Sequence, residues 1–376
     1  MNFTIVPLDS EHYDDWDTVC RTSKNAWFWH TTRWLEYTLA YNPSLKSSQC
    51  SFLLYNNSRA VAAVPLMVES HDYGEEVIHE FSFGGGWLPS PVCVDGLSAG
   101  QKKQVFRTAF DHVFALAEEN GVGRIRYRSN PFLHLESGLE TLVPVTVRFG
   151  FTSYILPTQI IDVRKDPVDL LKEMRKGHRS DIRRADKKLE GLVISHENAS
   201  LDLFAFYQDL HAKAAGRQTR PVETFKMMYE WIRNGYAILI GAKLKGRFVS
   251  FAYVNIFKDC AYYSSACNDP EVENLPLAHF VQWLILNWLH EHAFRYYEVG
   301  WQSYSSTEVL PATEKEVAIS RFKRGFGGVT VPIVLSEKFV LRKDYISMSQ
   351  DRTLRYAETL PGSFEPYVQL SQEVLP

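Results

Sequence analysis

The sequence predicts an α+β fold, an α/β sandwich built twice over, in which each unit is a twisted, largely antiparallel sheet flanked by helices. Three observations predict it. The 376 residues exceed the usual size of one domain, so two units of about 150 to 200 residues are expected. A hairpin, a helix and a further strand follow one another in the first half. The same order returns in the second half as pattern rather than as letters, which is what an internal duplication leaves.

In the first half, SFLLY and AVAAVPLMV flank the polar turn Asn56-Asn57-Ser58-Arg59 and read as a hairpin over Ser51 to Glu69. Val105, Ala109, Val113, Phe114 and Leu116 recur at helical spacing between Gln104 and Glu119, and Gly121-Val122-Gly123 leads into the strand-like IRYRS. In the second half, AILIGAKL, RFVSFAYVNIF and CAYYSSAC are separated by Lys245-Gly246 and Lys258-Asp259. A helix from about Leu277 to Ala293 and the strand RYYEVG complete the repeat. Between the halves we expect helices at Pro167 to Leu189, Leu201 to Arg217 and Val222 to Asn234. A boundary near Leu156-Pro157 divides the chain into 1–156 and 157–345. Residues 346–376 form a tail in which only the short helix of Arg342 to Leu354 is periodic.

A hydrophobic share of 45% and a charged share of 23% exclude intrinsic disorder. Cys20, Cys50, Cys93, Cys260 and Cys267 form no CxxC pair and have no histidine cluster at ligand spacing, so a reduced compartment and no metal are expected. The acidic first residues lack a signal-peptide core, and Leu275 to Leu289 is too polar and short for a membrane span, which points to a cytoplasmic protein with at most peripheral membrane contact. A net charge of −3 supplies no field that draws in DNA.

Five strings bear on chemistry. In Arg321-Phe322-Lys323-Arg324-Gly325-Phe326-Gly327-Gly328 the glycines permit close backbone approach to a ligand and the lysine supplies positive charge; a basic helix-to-strand turn is the plainer reading. From Lys172 to Lys188, helical spacing sets Lys172, Arg175, Lys176, Arg179 and Arg183 along one side, suited to phosphates of tRNA or of a nucleotide-linked acceptor, or simply to water. Arg217 and Arg220 occupy a turn between helices, where guanidinium forks could grip a carboxylate or diphosphate. Tyr262 and Tyr263 sit on a strand, where core packing competes with acceptor binding. Gly84-Gly85-Gly86 has no following helix and reads as a flexible turn. No GxSxG elbow and no HExxH motif supports hydrolase or metalloprotease chemistry.

The strings HTTRWLEYTLAYNP, HRSDIRRADKKLEGLVIS, LPLAHFVQWLILNWLHEH and above all RFKRGFGG resemble the Fem-type (FemAB-like) aminoacyltransferases of peptidoglycan bridge formation, relatives of the GNAT-like acyl-CoA N-acyltransferases. The resemblance spans most of the chain. It implies two tandem GNAT-like domains with a cleft between them and no tightly bound cofactor. It also implies attack of an amine on an activated ester or thioester, with acyl-CoA or aminoacyl-tRNA as co-substrate. It assigns Phe322 and Lys323 to the transferred group, with Lys323 stabilising the oxyanion. Trp34, Arg217 or Arg220, and Tyr262 or Tyr263 would hold the acceptor, and Arg175, Lys176, Arg179 and Arg183 the donor or its phosphates. One departure is that NDPEVENLPLAH lacks the RxxGxG-like pyrophosphate loop of the superfamily.

The resulting expectation is an N-acyl or aminoacyl transferase acting on an amine of a cell-envelope precursor, peptidoglycan-type or amino-sugar. The alternatives are an acyl-CoA-dependent N-acetyltransferase of surface polysaccharide biosynthesis and a catalytically silent module that binds a nucleotide sugar or RNA.

Overall fold

A computed structural model describes residues 3–73, 76–133, 135 and 143–360. The remainder of the expected tail, 361–376, lies outside the described residues. In the first half the strands are β1 (Thr4–Pro7), β2 (Ser48–Gln49), β3 (Phe52–Asn56), β4 (Arg59–Val64), β5 (Met67–Tyr73), β6 (Glu76–Phe81), β7 (Leu88–Pro89), β8 (Val92–Cys93) and β9 (Val122–Arg128), with helices α1 (Tyr13–Thr22), α2 (Thr32–Tyr41) and α3 (Ala99–Glu119). There follow β10 (Thr152–Asp162), α4 (Pro167–Glu173), α5 (Lys176–Asp186), β11 (Glu190–Ile194), α6 (Leu201–Ala215) and α7 (Val222–Arg233). The second half continues with β12 (Ala237–Leu244), β13 (Arg247–Phe257), β14 (Cys260–Asn268), α8 (Leu277–Glu291), β15 (Tyr296–Trp301), α9 (Glu314–Arg324), β16 (Val329–Phe339) and α10 (Arg342–Ala357).

One sheet runs through both halves in the order β11-β12-β13-β14-β15-β10-β16-β9-β6-β5-β2, with β7 also beside β9. A smaller sheet, β1-β3-β4-β8, packs in the first half. The join is made by β10 and β16, an unbroken antiparallel ladder from Thr152 opposite Glu337 to Ile160 opposite Val329. β10 then pairs with β15, and β16 with β9, so the last of the described strands returns to the first half. Leu156 and Pro157 lie in the middle of β10.

Local chemistry explains the elements. Ser98 and Gln101 form a reciprocal capping box at the start of α3, and Gly216 in the left-handed region stops α6. Two readings of the sequence need correction. AVAAVPLMV is not one strand: its halves, β4 and β5, enter different sheets, separated at Pro65, which has no N–H for a ladder. The basic stretch of Pro167 to Leu189 is two helices, because Met174 turns extended and buries its side chain while the Arg175 amide donates to the Gly325 carbonyl at 2.9 Å. Lys172 therefore does not share a helix with Arg175 to Arg183.

One core lies under α4, α5 and α8 and holds Ile182, Ile240, Phe280 and Leu286. A second spans the halves, joining Trp27, Phe28, Phe52 and Phe110 to Tyr207, Trp231 and Phe257. Polar ties reinforce it: the Lys258 ammonium, on the β13–β14 turn, donates to the Ser23 and Ala26 carbonyls at 2.5 and 3.2 Å, and the Arg33 guanidinium lies 3.9 Å from the Tyr236 ring centroid. Among the described residues, no helix is long and apolar enough to cross a membrane.

The entry to β16 depends on Gly328, whose φ is +78° and where a Cβ would lie 2.2 Å from the Ile160 carbonyl oxygen, a backbone atom that cannot swing away. Gly328→Ala should cost about 3 kcal/mol or more in a denaturant titration. Gly177→Ala, in α5 with nothing near its Cβ position, should stabilise by about 0.5–1 kcal/mol. Equal effects would mean the β10 approach is not rigid.

Candidate functional site

The parallel strands β14 and β15 pair only from Cys260 opposite Tyr296 to Tyr262 opposite Glu298. Beyond that they part. On one side β14 carries an extra residue: Tyr253 faces Ser265 and Val254 faces Tyr263, leaving Ser264 as a bulge that bends the strand. On the other, β15 follows β10 as far as Trp301 opposite Thr158. The peptide groups of the two strands past Tyr262 and Glu298 no longer bond each other, so the opening can accept an extended, amide-bearing molecule as a further rung. The first half also has a parallel pair, β6 beside β9, with the register shift within the pair, between His79 and Glu80. There the opening is closed, because β7 re-pairs with β9 at Leu88 and Pro89, and buried Glu80 bridges Arg124 at 2.6 Å and Arg126 at 2.8 Å.

Lys323 reaches the open wedge from the last turn of α9, which starts at a Thr313–Glu316 capping box. Its ammonium lies against Gly300 of β15, where a Cβ would come within 2.6 Å of Nζ; only glycine leaves that room. Glu298 is completely buried nearby. Its Oε1 accepts from Thr158 Oγ1 at 2.6 Å, and Oε2 has no hydrogen-bond partner. Burial pushes the Glu298 carboxyl up to about 7, against the hydrogen bond and the charges of Arg128 and Lys323. Burial also lowers the Lys323 ammonium, opposed by Glu298.

A cleft of about 250 Å³ opens between the halves. Trp34, Tyr37, Gly84 and Arg128 line it from the first half, and Arg220, Tyr262, Ser264 and Trp301 from the second. Tyr37 stacks on Trp34 with ring centroids 5.2 Å apart, and its hydroxyl accepts from Arg220 at 3.1 Å. The Gly84–Gly85 wall is held rather than flexible: the buried Glu69 carboxylate accepts from both amides at 2.5 and 2.8 Å, and Arg126 donates to the Gly85 carbonyl at 3.0 Å. Burial raises the Glu69 carboxyl, but bonds from His71, Ser82 and these amides outweigh it and hold it below its usual range.

The residues singled out in the sequence are only partly gathered here. Arg220, Tyr262 and Trp34 line the cleft. Tyr263 points to the opposite face of the sheet, into the core under α8, as strand alternation requires. Arg217 is exposed and does not line the cleft. Phe322 anchors Lys323 from behind, its ring 4.9 Å from His279 and 5.1 Å from Phe326. The glycines of RFKRGFGG are occupied by protein: a Cβ at Gly325 would strike His178, and Gly327 lies against Glu173. Arg175, Lys176, Arg179 and Arg183 are on α5 or its cap, outside the cleft; Arg175 donates to the Arg321 carbonyl at 3.2 Å and Arg179 to the Lys172 carbonyl at 2.9 Å. Sequence reasoning missed Arg128, Glu298, Trp29 and Tyr37. Arg124, Arg126 and Arg128 alternate on an otherwise apolar strand, and Glu298 is the lone acid of RYYEVG; both were visible signals.

Among the described residues no cluster of His, Cys, Asp or Glu is suited to a metal ion. No curated protein sequence matches the chain. Residues 176–315 match the family described as acetyltransferase (GNAT) domain. The solved structure of FemX superposes with a TM-score of 0.65 at 14% identity, covering 93% of this chain and all of that one (100%). L-PGS from Bacillus licheniformis gives 0.53 at 12% identity, covering 85% and 96%. A tandem GNAT protein from the clavulanic acid biosynthesis pathway gives 0.51 at 15% identity, covering 90% and 98%. β14, β15 and the wedge between them thus lie within the residues that match an acetyltransferase (GNAT) domain, set in a tandem GNAT-like fold shared along its length with FemX.

Proposed function

We propose that the protein is an N-acyltransferase that moves an acyl group from an activated thioester or ester in the β14–β15 wedge onto an amine of a cell-envelope precursor held in the aromatic cleft. The observation that carries this reading is the Lys323 ammonium against Gly300 of β15, one residue before Trp301 of the cleft wall. A neutral acceptor amine attacks the acyl carbonyl, the carbon–nitrogen bond forms, and the oxyanion develops beside Lys323. Collapse breaks the carbon–sulfur or carbon–oxygen bond, and the departing group takes up the proton that the amine gives away. Partial desolvation makes the Lys323 charge worth more to that oxyanion than it would be in water. Glu298 holds the counter-charge and acts as a positioning residue for Lys323.

The match to a GNAT acetyltransferase domain supports acyl-CoA as the donor, and the free strand edges suit its amide-bearing arm. Aminoacyl-tRNA is the second reading, favoured by the exposed arginines and lysines of α5. A cytoplasmic location and a nucleotide-linked or amino-sugar acceptor go with either donor. The open wedge of the second half and the plugged one of the first support catalysis in the second half alone.

Lys323→Ala should lower kcat for transfer from acetyl-CoA about 10²- to 10³-fold, while calorimetry shows acetyl-CoA bound within about threefold of wild type. Unchanged turnover removes the oxyanion role. For the tRNA reading, reversing Arg179 and Arg183 to Glu should weaken tRNA binding and flatten its dependence on salt; a wild-type affinity indifferent to salt rules that donor out.

Glu298 also makes stability depend on pH. Its proton is held more tightly in the folded chain than in the unfolded one, so this contribution is fully present below pH about 4.5 and is lost as pH rises through about 7. Glu298→Gln keeps the partner of Thr158 without a buried charge. Relative to wild type the variant should gain up to about 3 kcal/mol between pH 5 and 8 in denaturant titrations. A pH-independent difference would place the Glu298 proton elsewhere.

A further inference from the structure

Arg124, Arg126 and Arg128 alternate along β9 and so share one face. The first two are ion-paired with Glu80, and Arg124 also lies 3.8 Å from Glu337. Arg128 is not. It is only 9% exposed, its Nε is buried without a hydrogen-bond partner, and among the described residues no carboxylate stands within ion-pair distance of it. Its guanidinium lies flat over Trp29, with Cζ 3.4 Å from the ring centroid. Burial lowers its pKa to about 10, opposed by Tyr262 and Glu298, so it remains charged at neutral pH.

A guanidinium held this deep without an anion is costly, and the arrangement makes sense when a ligand supplies the anion. Arg128 lines the cleft, where a fork of N–H donors can face a bound molecule. The Trp29 ring on which it rests is met edge-on by Tyr262 at 5.0 Å, so the fork is fixed in orientation. Tyr262, the last residue of β14 paired with β15, lines the same cleft as Arg128, which sets Arg128 beside the wedge. Arg220, by contrast, is already engaged by the Tyr37 hydroxyl on another wall.

We propose that Arg128 is a carboxylate-recognising residue of the acceptor site, and that the acceptor is an amine that also carries a carboxylate. A single planar fork over an aromatic ring matches one flat carboxylate. Two sources share that chemistry, an amino acid side chain or terminus and an amino uronic acid. The proposal rests on the acyltransferase reading for the word acceptor, but the binding itself needs no acyl transfer.

Calorimetric titrations of the full chain with two matched pairs test it: L-lysine against cadaverine, and 2-amino-2-deoxyglucuronate against glucosamine. In at least one pair the carboxylate member should bind about tenfold or more tightly than its neutral partner, and the pair that discriminates identifies the source. Arg128→Met should bring that pair within about threefold while leaving the neutral member and acetyl-CoA at wild-type affinity. Arg128→Lys, which keeps the charge without the fork, should fall between and serves if the Met variant does not fold. Equal binding within both pairs, discrimination that survives in Arg128→Met, or no binding of any of the four amines at about 10 mM each overturns the proposal. So does tighter binding of glucosamine 6-phosphate than of either carboxylate. Failure of acetyl-CoA to bind counts against an acyl-CoA donor instead, and is read separately.

Discussion

The ladder between β10 and β16 is the constraint on which the rest depends. It is the only route by which the sheet of the first half continues into that of the second among the described residues. β15 hangs on one side of it and β9 on the other, so Glu298 and Gly300 are placed relative to Arg128 by backbone hydrogen bonds rather than by loops. A site assembled from both halves needs that rigidity, since small displacements of reacting groups are expensive. The shared core of Trp27, Phe28, Trp231 and Phe257 reinforces the same geometry from one face of the sheet.

From this frame the asymmetry of the two halves follows. Each has a parallel strand pair, with a register shift inside the pair in the first half and in the neighbouring β13–β14 ladder in the second. In the first, β7 returns to β9 and a buried ion cluster fills the space. In the second, nothing among the described residues re-pairs with β15 in place of β14 beyond Tyr262, and a lysine from α9 lies against Gly300. The halves thus differ in that one parallel pair is left open and the other is filled, with an aromatic cleft between them.

Much of this was legible in the sequence, and the reasons for the misses are physical. The strands and helices of the repeat fall where periodicity put them, from α3 to β15, because long amphipathic segments carry their own signal. Lys323 was singled out through its string, but the glycines around it serve close packing on His178, Glu173 and Ile160, which local sequence cannot distinguish from a ligand cradle. The split of AVAAVPLMV and the break at Met174 come from tertiary partners that periodicity does not see. Tyr262 and Tyr263 had to face opposite ways, and only the structure says which faces the cleft. Arg128 and Glu298 were readable as charges in apolar strands; what the sequence withheld was that among the described residues no carboxylate pairs with Arg128, and that Glu298 feels the charge of Lys323.

The central claim is that the donor occupies the wedge between β14 and β15, and hydrogen–deuterium exchange with and without acetyl-CoA tests it most directly. The account predicts slowed exchange at the amides of Ser264 to Asn268 and Val299 to Trp301, with β6 and β9 unchanged. Protection confined to the first half, or saturating binding with no change at either strand end, would contradict it.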